Sequence, residues 1–212
     1  MKQYLLTKTE LFGIPVKKIN YNFKVDETKD MKKPQYIIIH HTGNANTIQK
    51  IINSHVKKKH YTSIGYHLLI GKNGQVYFSR ELNKVGAHTF GYNSKAIGIA
   101  IFGNFNKNEP SPKQLETLKK LIDIMSKELH IKEIMGHNQA VYKLLLKKEI
   151  AQLPEVDPID IVNDIEYYSF LKKVDEKILE TKNEEAIQLM NKLKTCPGIN
   201  IYKPLKEILE NN

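Results

Sequence analysis

The chain has 212 residues and a formal charge of +10, with 33 Lys and Arg against 23 Asp and Glu and a single cysteine. That length suits one substantial hydrophobic core, and apolar and charged fractions of 41 % and 26 % exclude disorder along its length. One thiol excludes a disulfide framework within the chain, and no apolar run approaches the roughly 18 residues that span a bilayer, so stable membrane insertion is not expected.

The positive balance favours an anionic partner, whether nucleic acid, an acidic membrane surface or an acidic wall polymer. Nucleic acid is the weakest of these, because no basic run is interleaved with stacking aromatics and no recognition-helix pattern is present. The start MKQYLLTKTELFG has no apolar core of a signal peptide. The chain is therefore expected to be made in the cytoplasm.

Residues 1–33 read as an N-terminal extension. Ile14-Pro15-Val16 and the alternation from Ile19 to Val25 suggest one edge strand there, followed by the polar connector Lys29 to Pro34. Tyr36-Ile37-Ile38-Ile39-His40 is a β-branched run of the kind buried on both faces of a sheet, with histidine at its end. From Thr47 to about His60, residues Ile48, Ile51, Ile52, His55 and Val56 recur at helical spacing.

Gly65 to Ile70 and Val76-Tyr77-Phe78 flank the turn Gly71-Lys72-Asn73-Gly74, a strand, turn, strand signal. Ala96 to Phe102 is a further strand. Ser111-Pro112 then supplies an N-cap and a first-turn proline for a helix with Leu115, Leu118, Leu121, Ile122 and Met125 inward. One hairpin together with helical connections predicts an α+β (mixed α/β) fold, a central mixed β-sheet flanked by helices.

Residues 138–193 interrupt this rhythm with helices expected at about 140–152, 158–182 and 184–193, net acidic inside a basic chain. They read as a helical insertion in a domain spanning 34–212. The lone Cys196, in "KTCPG", could be a small buried side chain, a reactive thiol or a metal ligand. His40 and His137, also at the ends of predicted elements, would complete a set of two imidazoles and one thiolate, the donor set of a catalytic zinc site. Their spacing forms no short motif.

Six blocks in order, "YIIIHHTGN", "SIGYHLLIGKNGQVY", "VGAHTFGYN", "AIGIAIFGNF", "MGHN" and "KTCPG", resemble those of the zinc-dependent N-acetylmuramoyl-L-alanine amidases. This is the superfamily of phage lysozyme-type amidases and peptidoglycan recognition proteins. The resemblance implies one Zn2+ per chain bound by His40, His137 and Cys196. Neighbours on a strand point to opposite faces, so His41 is expected to pack or support rather than ligate.

By the same resemblance Tyr66 and Lys194 are catalytic, while His88, Asn93 and Thr42 contact substrate. The strand Ile97 to Phe102 lacks the glutamate that some relatives carry there, which points to the tyrosine and lysine version of the site. The implied activity is cleavage between N-acetylmuramic acid and L-alanine of peptidoglycan, in a phage or prophage endolysin that reaches the wall after release. A non-catalytic peptidoglycan-binding module and a cytosolic muropeptide-recycling amidase are the alternatives.

The long separation between His137 and Cys196 departs from the family. It is tolerable if the ends of the insertion lie close together, because loop-closure entropy grows slowly with length. The insertion itself could be a surface for a protein partner or second copy, a wall of the groove, or decoration.

Overall fold

In the computed structural model, residues 4–21, 29–147, 164–180, 184 and 196–211 are described. Strands β1 (Tyr4–Leu11), β2 (Ile14–Tyr21), β3 (Tyr36–His41), β4 (Leu68–Ile70), β5 (Val76–Phe78), β6 (Ala96–Ile101) and β7 (Glu133–Gly136) form one mixed sheet among these residues. Their order is β1-β2-β5-β4-β6-β3-β7. The pairs β4/β6, β6/β3 and β3/β7 are parallel, so these strands end on the same side of the sheet. In open α/β sheets that side is where ligands bind.

Sheet burial follows from composition. Ile37, Ile38 and Ile39 of β3 and Ile97, Ile99 and Ile101 of β6 have no solvent exposure, as β-branched runs covered on both faces require. On one face pack α2 (Pro112–Leu129) and α3 (His137–Lys147), with α4 (Asp164–Glu180) and α5 (Ile199–Glu210) completing the main core. The other face is covered by α1 (Ile48–Ile52), through Ile48, Ile51 and Ile52 against Leu69, Ala100 and Phe102.

The start of α2 is fixed as its sequence predicts. The Ser111 hydroxyl accepts the Gln114 N–H, the Gln114 side chain accepts the Ser111 N–H, and Pro112 opens the helix. Such a cap is worth about 1 kcal/mol. From the acidic segment, α4 sends Val174 and Ile178 into the main core. The remaining helices expected between 148 and 193 lie outside the described residues.

Several elements differ from the sequence reading: β7 was not expected, and β4 begins at Leu68 where Gly65 was expected. The N-terminal extension holds two antiparallel strands where one was expected, joined at Phe12-Gly13 with φ of 51° and 75°. Two positive φ values are what a two-residue I′ turn needs, but the Asn-Gly or Asp-Gly signature is missing. The helix after Thr47 gives way at Asn53–Lys58 to a π-helical turn, with the Lys59 N–H reaching Ser54 O. Finally, α5 contains Pro204, which hides its helical period.

Candidate functional site

Parallel strands carry two imidazoles to one end of the sheet. His40 is the last but one residue of β3, and β7 passes at Gly136 directly into α3, whose first residue is His137. Their rings stand 4.8 Å apart.

Main-chain bonds bring Cys196 to them. The Asn138 N–H donates to Cys196 O at 2.9 Å, and the His41 N–H donates to Cys196 Sγ at 3.4 Å. Just beyond, Gly198 at φ +96° lies so close to Phe105 that a β-carbon would meet its backbone at 2.5 Å. The His41 ring braces the same region: Nδ1 accepts the Phe105 N–H at 3.2 Å and the ring bonds the Pro197 backbone. His41 thus bonds the sulfur through its main chain while its ring packs against the Phe105 and Pro197 backbone.

One ligand atom from each of His40, His137 and Cys196 lies within 4.8 Å of the others. The buried sulfur is 3.6 Å from His40 Nδ1. The other nitrogen of His40, Nε2, faces His88 Nδ1 at 3.1 Å and the Thr89 hydroxyl at 3.3 Å. Burial, reinforced by neighbouring imidazoles, holds His40 and His88 well below the ordinary histidine range. Both rings are neutral at pH 7, as ligation by His40 requires.

Tyr66 reaches the group from the segment before β4, with its ring centre 5.0 Å from that of His40. Several bonds hold this segment. The His67 N–H donates to Gly98 O at 2.9 Å, and the Gly98 N–H returns to His67 Nδ1 at 3.0 Å. Ser79 donates its hydroxyl to Tyr66 O at 2.8 Å.

The buried Arg80 guanidinium spans Ile64 O, Val85 O and the Ser63 hydroxyl at 3.0, 2.6 and 2.8 Å. The Tyr21 hydroxyl at the end of β2 accepts the Ile64 N–H at 3.2 Å, so the N-terminal hairpin also contributes. The Tyr66 hydroxyl itself has no hydrogen-bond partner among the described residues. Burial, then the nearby Cys196, raises its pKa far above the ordinary range, so it stays protonated.

Residues 30–151 match the protein family Amidase_2, described as N-acetylmuramoyl-L-alanine amidase. The chain belongs to this amidase family. Among solved structures, N-acetylmuramoyl-L-alanine amidase LysC from Clostridium intestinale URNW is 25 % identical. That match covers 92 % of this chain and 94 % of LysC, with a TM-score of 0.60. The endolysin amidase LysCS from the same organism is 32 % identical over 57 % of this chain and 78 % of its own, with a TM-score of 0.52.

A peptidoglycan recognition protein of Bombyx mori is 40 % identical over 95 residues, 41 % of this chain and 48 % of that protein. The chain spans about half to two thirds of the length of the first curated relatives it matches. The mixed sheet described above is the fold of this amidase family.

In this amidase-family chain the group forms the floor of an open cleft of about 550 Å³, lined also by Tyr66, His88, Asn93 and Thr42. Lys59, Tyr61 and Phe90 line it too, and no carboxylate does so among the described residues. Asn93 is partly spent on the loop: its Oδ1 accepts the N–H groups of His88 and Thr89, each at 2.8 Å. The Thr42 hydroxyl accepts the Gly103 N–H at 3.2 Å. Lys194 lies outside the described residues.

Sequence reasoning missed four participants: His55, His67, Arg80 and Thr89. His55 sits in the π-helical turn, takes the Gly65 N–H on Nδ1 at 3.0 Å, and stands 5.1 Å from the Tyr66 ring. Burial, then Lys59 and Arg80, brings its pKa down to about 4. A histidine on the apolar face of a helix was the available signal, and it was read as packing.

Proposed function

We propose that this chain hydrolyses the amide bond between N-acetylmuramic acid and L-alanine in peptidoglycan, with one zinc ion held by His40, His137 and Cys196. The observation that carries this reading is the convergence of those three donors at a cleft that Tyr66 also lines. The donor set fits the ion, since thiolate with imidazole suits zinc and not the oxygen-seeking cations. The His41 N–H at the sulfur also favours a thiolate there.

When bound, zinc supplies Lewis acidity towards a carbonyl and lowers the pKa of a coordinated water towards neutrality. The protein does the rest. Its cleft receives the scissile amide, and the protonated Tyr66 hydroxyl donates to the negative charge that develops on the amide oxygen. Lys194, two residues before Cys196, is proposed on sequence grounds as a second donor. His88, Asn93 and Thr42 are proposed to contact the glycan or stem peptide from the cleft wall.

The kinship to LysCS and the net positive charge support an endolysin that acts on anionic cell walls after release from the cytoplasm. The recognition-protein relatives support a second reading, binding of peptidoglycan without turnover. Zinc-loaded protein on purified cell walls separates them. Amidase action releases new L-alanine amino termini and no reducing sugar, and Cys196→Ser abolishes it. Wall binding with no new amino termini would leave only the second reading. Activity confined to soluble muropeptides would replace the endolysin role by recycling.

A further inference from the structure

Gly98 stands in the middle of β6, a fully buried strand where glycine weakens the sheet and often marks the close approach of another group. The approaching group is the ring of His88. A β-carbon on Gly98 would lie 2.6 Å from its Cγ, and one on Gly86 would lie 2.5 Å from its Cδ2. Two glycines thus form a slot that admits this imidazole in one orientation.

Within the slot each proton can be placed by what its neighbour is able to accept. His88 Nε2 is 3.2 Å from Ala96 O, and a carbonyl only accepts, so Nε2 carries the proton. The Nδ1 of the neutral ring is then a lone pair. It faces His40 Nε2 at 3.1 Å, where two lone pairs would repel, so His40 Nε2 is protonated and donates. The Thr89 hydroxyl oxygen lies beside this bond, 3.0 Å from His88 Nδ1 and 3.3 Å from His40 Nε2. What remains bare on His40 is Nδ1, the nitrogen 3.6 Å from the Cys196 sulfur.

We infer that His88 is a positioning residue: clasped between Gly86 and Gly98 and anchored on Ala96 O, it fixes His40 as the Nε2–H tautomer and aims the Nδ1 lone pair at the metal group. This rests on the reading of His40 as a zinc ligand. A partner on the far nitrogen of a ligating histidine commonly sets tautomer and orientation, and its loss costs about 10- to 100-fold in metal affinity. His88 thereby gains a role separate from its proposed contact with substrate.

Zinc-free wild-type protein gives the direct test by long-range proton–nitrogen correlation of the imidazole rings. The expected spectrum has both His40 and His88 protonated on Nε2; His40 protonated on Nδ1 would overturn the inference without any variant. Zinc titration gives the second readout. His88→Phe fills the slot with no ring nitrogen and should weaken zinc binding about 10- to 100-fold.

His88→Asn, whose Oδ1 takes the place of Nδ1, should recover most of that loss. Unchanged affinity in His88→Phe would remove the positioning role. His40→Ala separates this outcome from failure of the zinc reading: full zinc affinity in that variant counts against His40 as a ligand. Loss of zinc there together with retention in His88→Phe counts against His88 alone.

Discussion

The hydroxyl of Tyr202 in α5 occupies the space where a β-carbon on Gly136 would stand. Gly136 ends β7 immediately before His137, and Tyr202 is fully buried. The C-terminal helix therefore supports the strand end that presents one of the three donors.

Gly136→Ala should destabilise the protein by about 1–3 kcal/mol, the usual result of forcing extra volume into a packed core. It should also weaken zinc retention, because relief of the clash moves the peptide bonded to His137. Urea unfolding of the zinc-free variant checks the first effect. A wild-type midpoint would mean that the backbone yields at no cost.

Tyr66→Phe removes the unpartnered hydroxyl and leaves the ring against His40 and His55. Removal of one donor to an oxyanion typically lowers kcat by about 100- to 1,000-fold. The expected result is a loss of that size with KM and zinc stoichiometry unchanged. Loss of zinc in parallel would recast Tyr66 as a support of the metal group.

Arg80→Met takes a guanidinium away from three oxygen acceptors in the interior. Each acceptor left unsatisfied costs on the order of 1–3 kcal/mol, so chemical denaturation should show a loss of at least about 2 kcal/mol. Arg80→Lys should restore less than half, since a single ammonium cannot reproduce the planar fork. Full rescue by lysine would show that charge, not geometry, matters there.

Stability should fall as the medium is acidified from pH 6.5. Burial brings the His67 pKa down to about 4 against an ordinary 6.5. Above 6.5 neither state of the chain binds this proton. Between 6.5 and about 4 only the unfolded chain does, so stability drops as pH falls, and below about 4 the loss is complete.

The full effect is about 3 kcal/mol for this group, and His41 and His55, also brought down to about 4 by burial, add to it with the same sign. Unfolding of zinc-free protein between pH 6.5 and 5, above the carboxylate range, isolates the histidines. A flat profile there would contradict their burial as neutral rings.

His40, His137 and Cys196 were legible as a set through the six ordered blocks that resemble the amidase family, since their spacing forms no short motif. The alternation argument for His41 needed only strand geometry. The supports were not legible in the same way. His88 fixes His40 through the approach of its ring to glycines at 86 and 98, and Arg80 joins residues 63, 64 and 85 through backbone atoms; neither relationship leaves a periodic pattern.

The isoleucine-rich strands and α2 declared themselves through burial and capping. The Phe12-Gly13 turn, the π-helical turn and α5 did not, because each is set by tertiary packing over local preference. Cys196, far from His40 and His137 in the chain, is tied to the site by the Asn138 N–H and the His41 N–H. Main-chain donors carry no residue code.

The pairing of His67 with Gly98 bears on the course of the chain itself. Strands β4 and β6 run parallel from Leu68 and Ile99 onward, and one residue earlier the Gly98 amide bonds an imidazole nitrogen in place of a peptide oxygen. The side chain counterfeits a rung of the sheet. With that rung supplied by the ring, the backbone at residue 66 is excused from the pleat, and its tyrosine can turn towards the histidines.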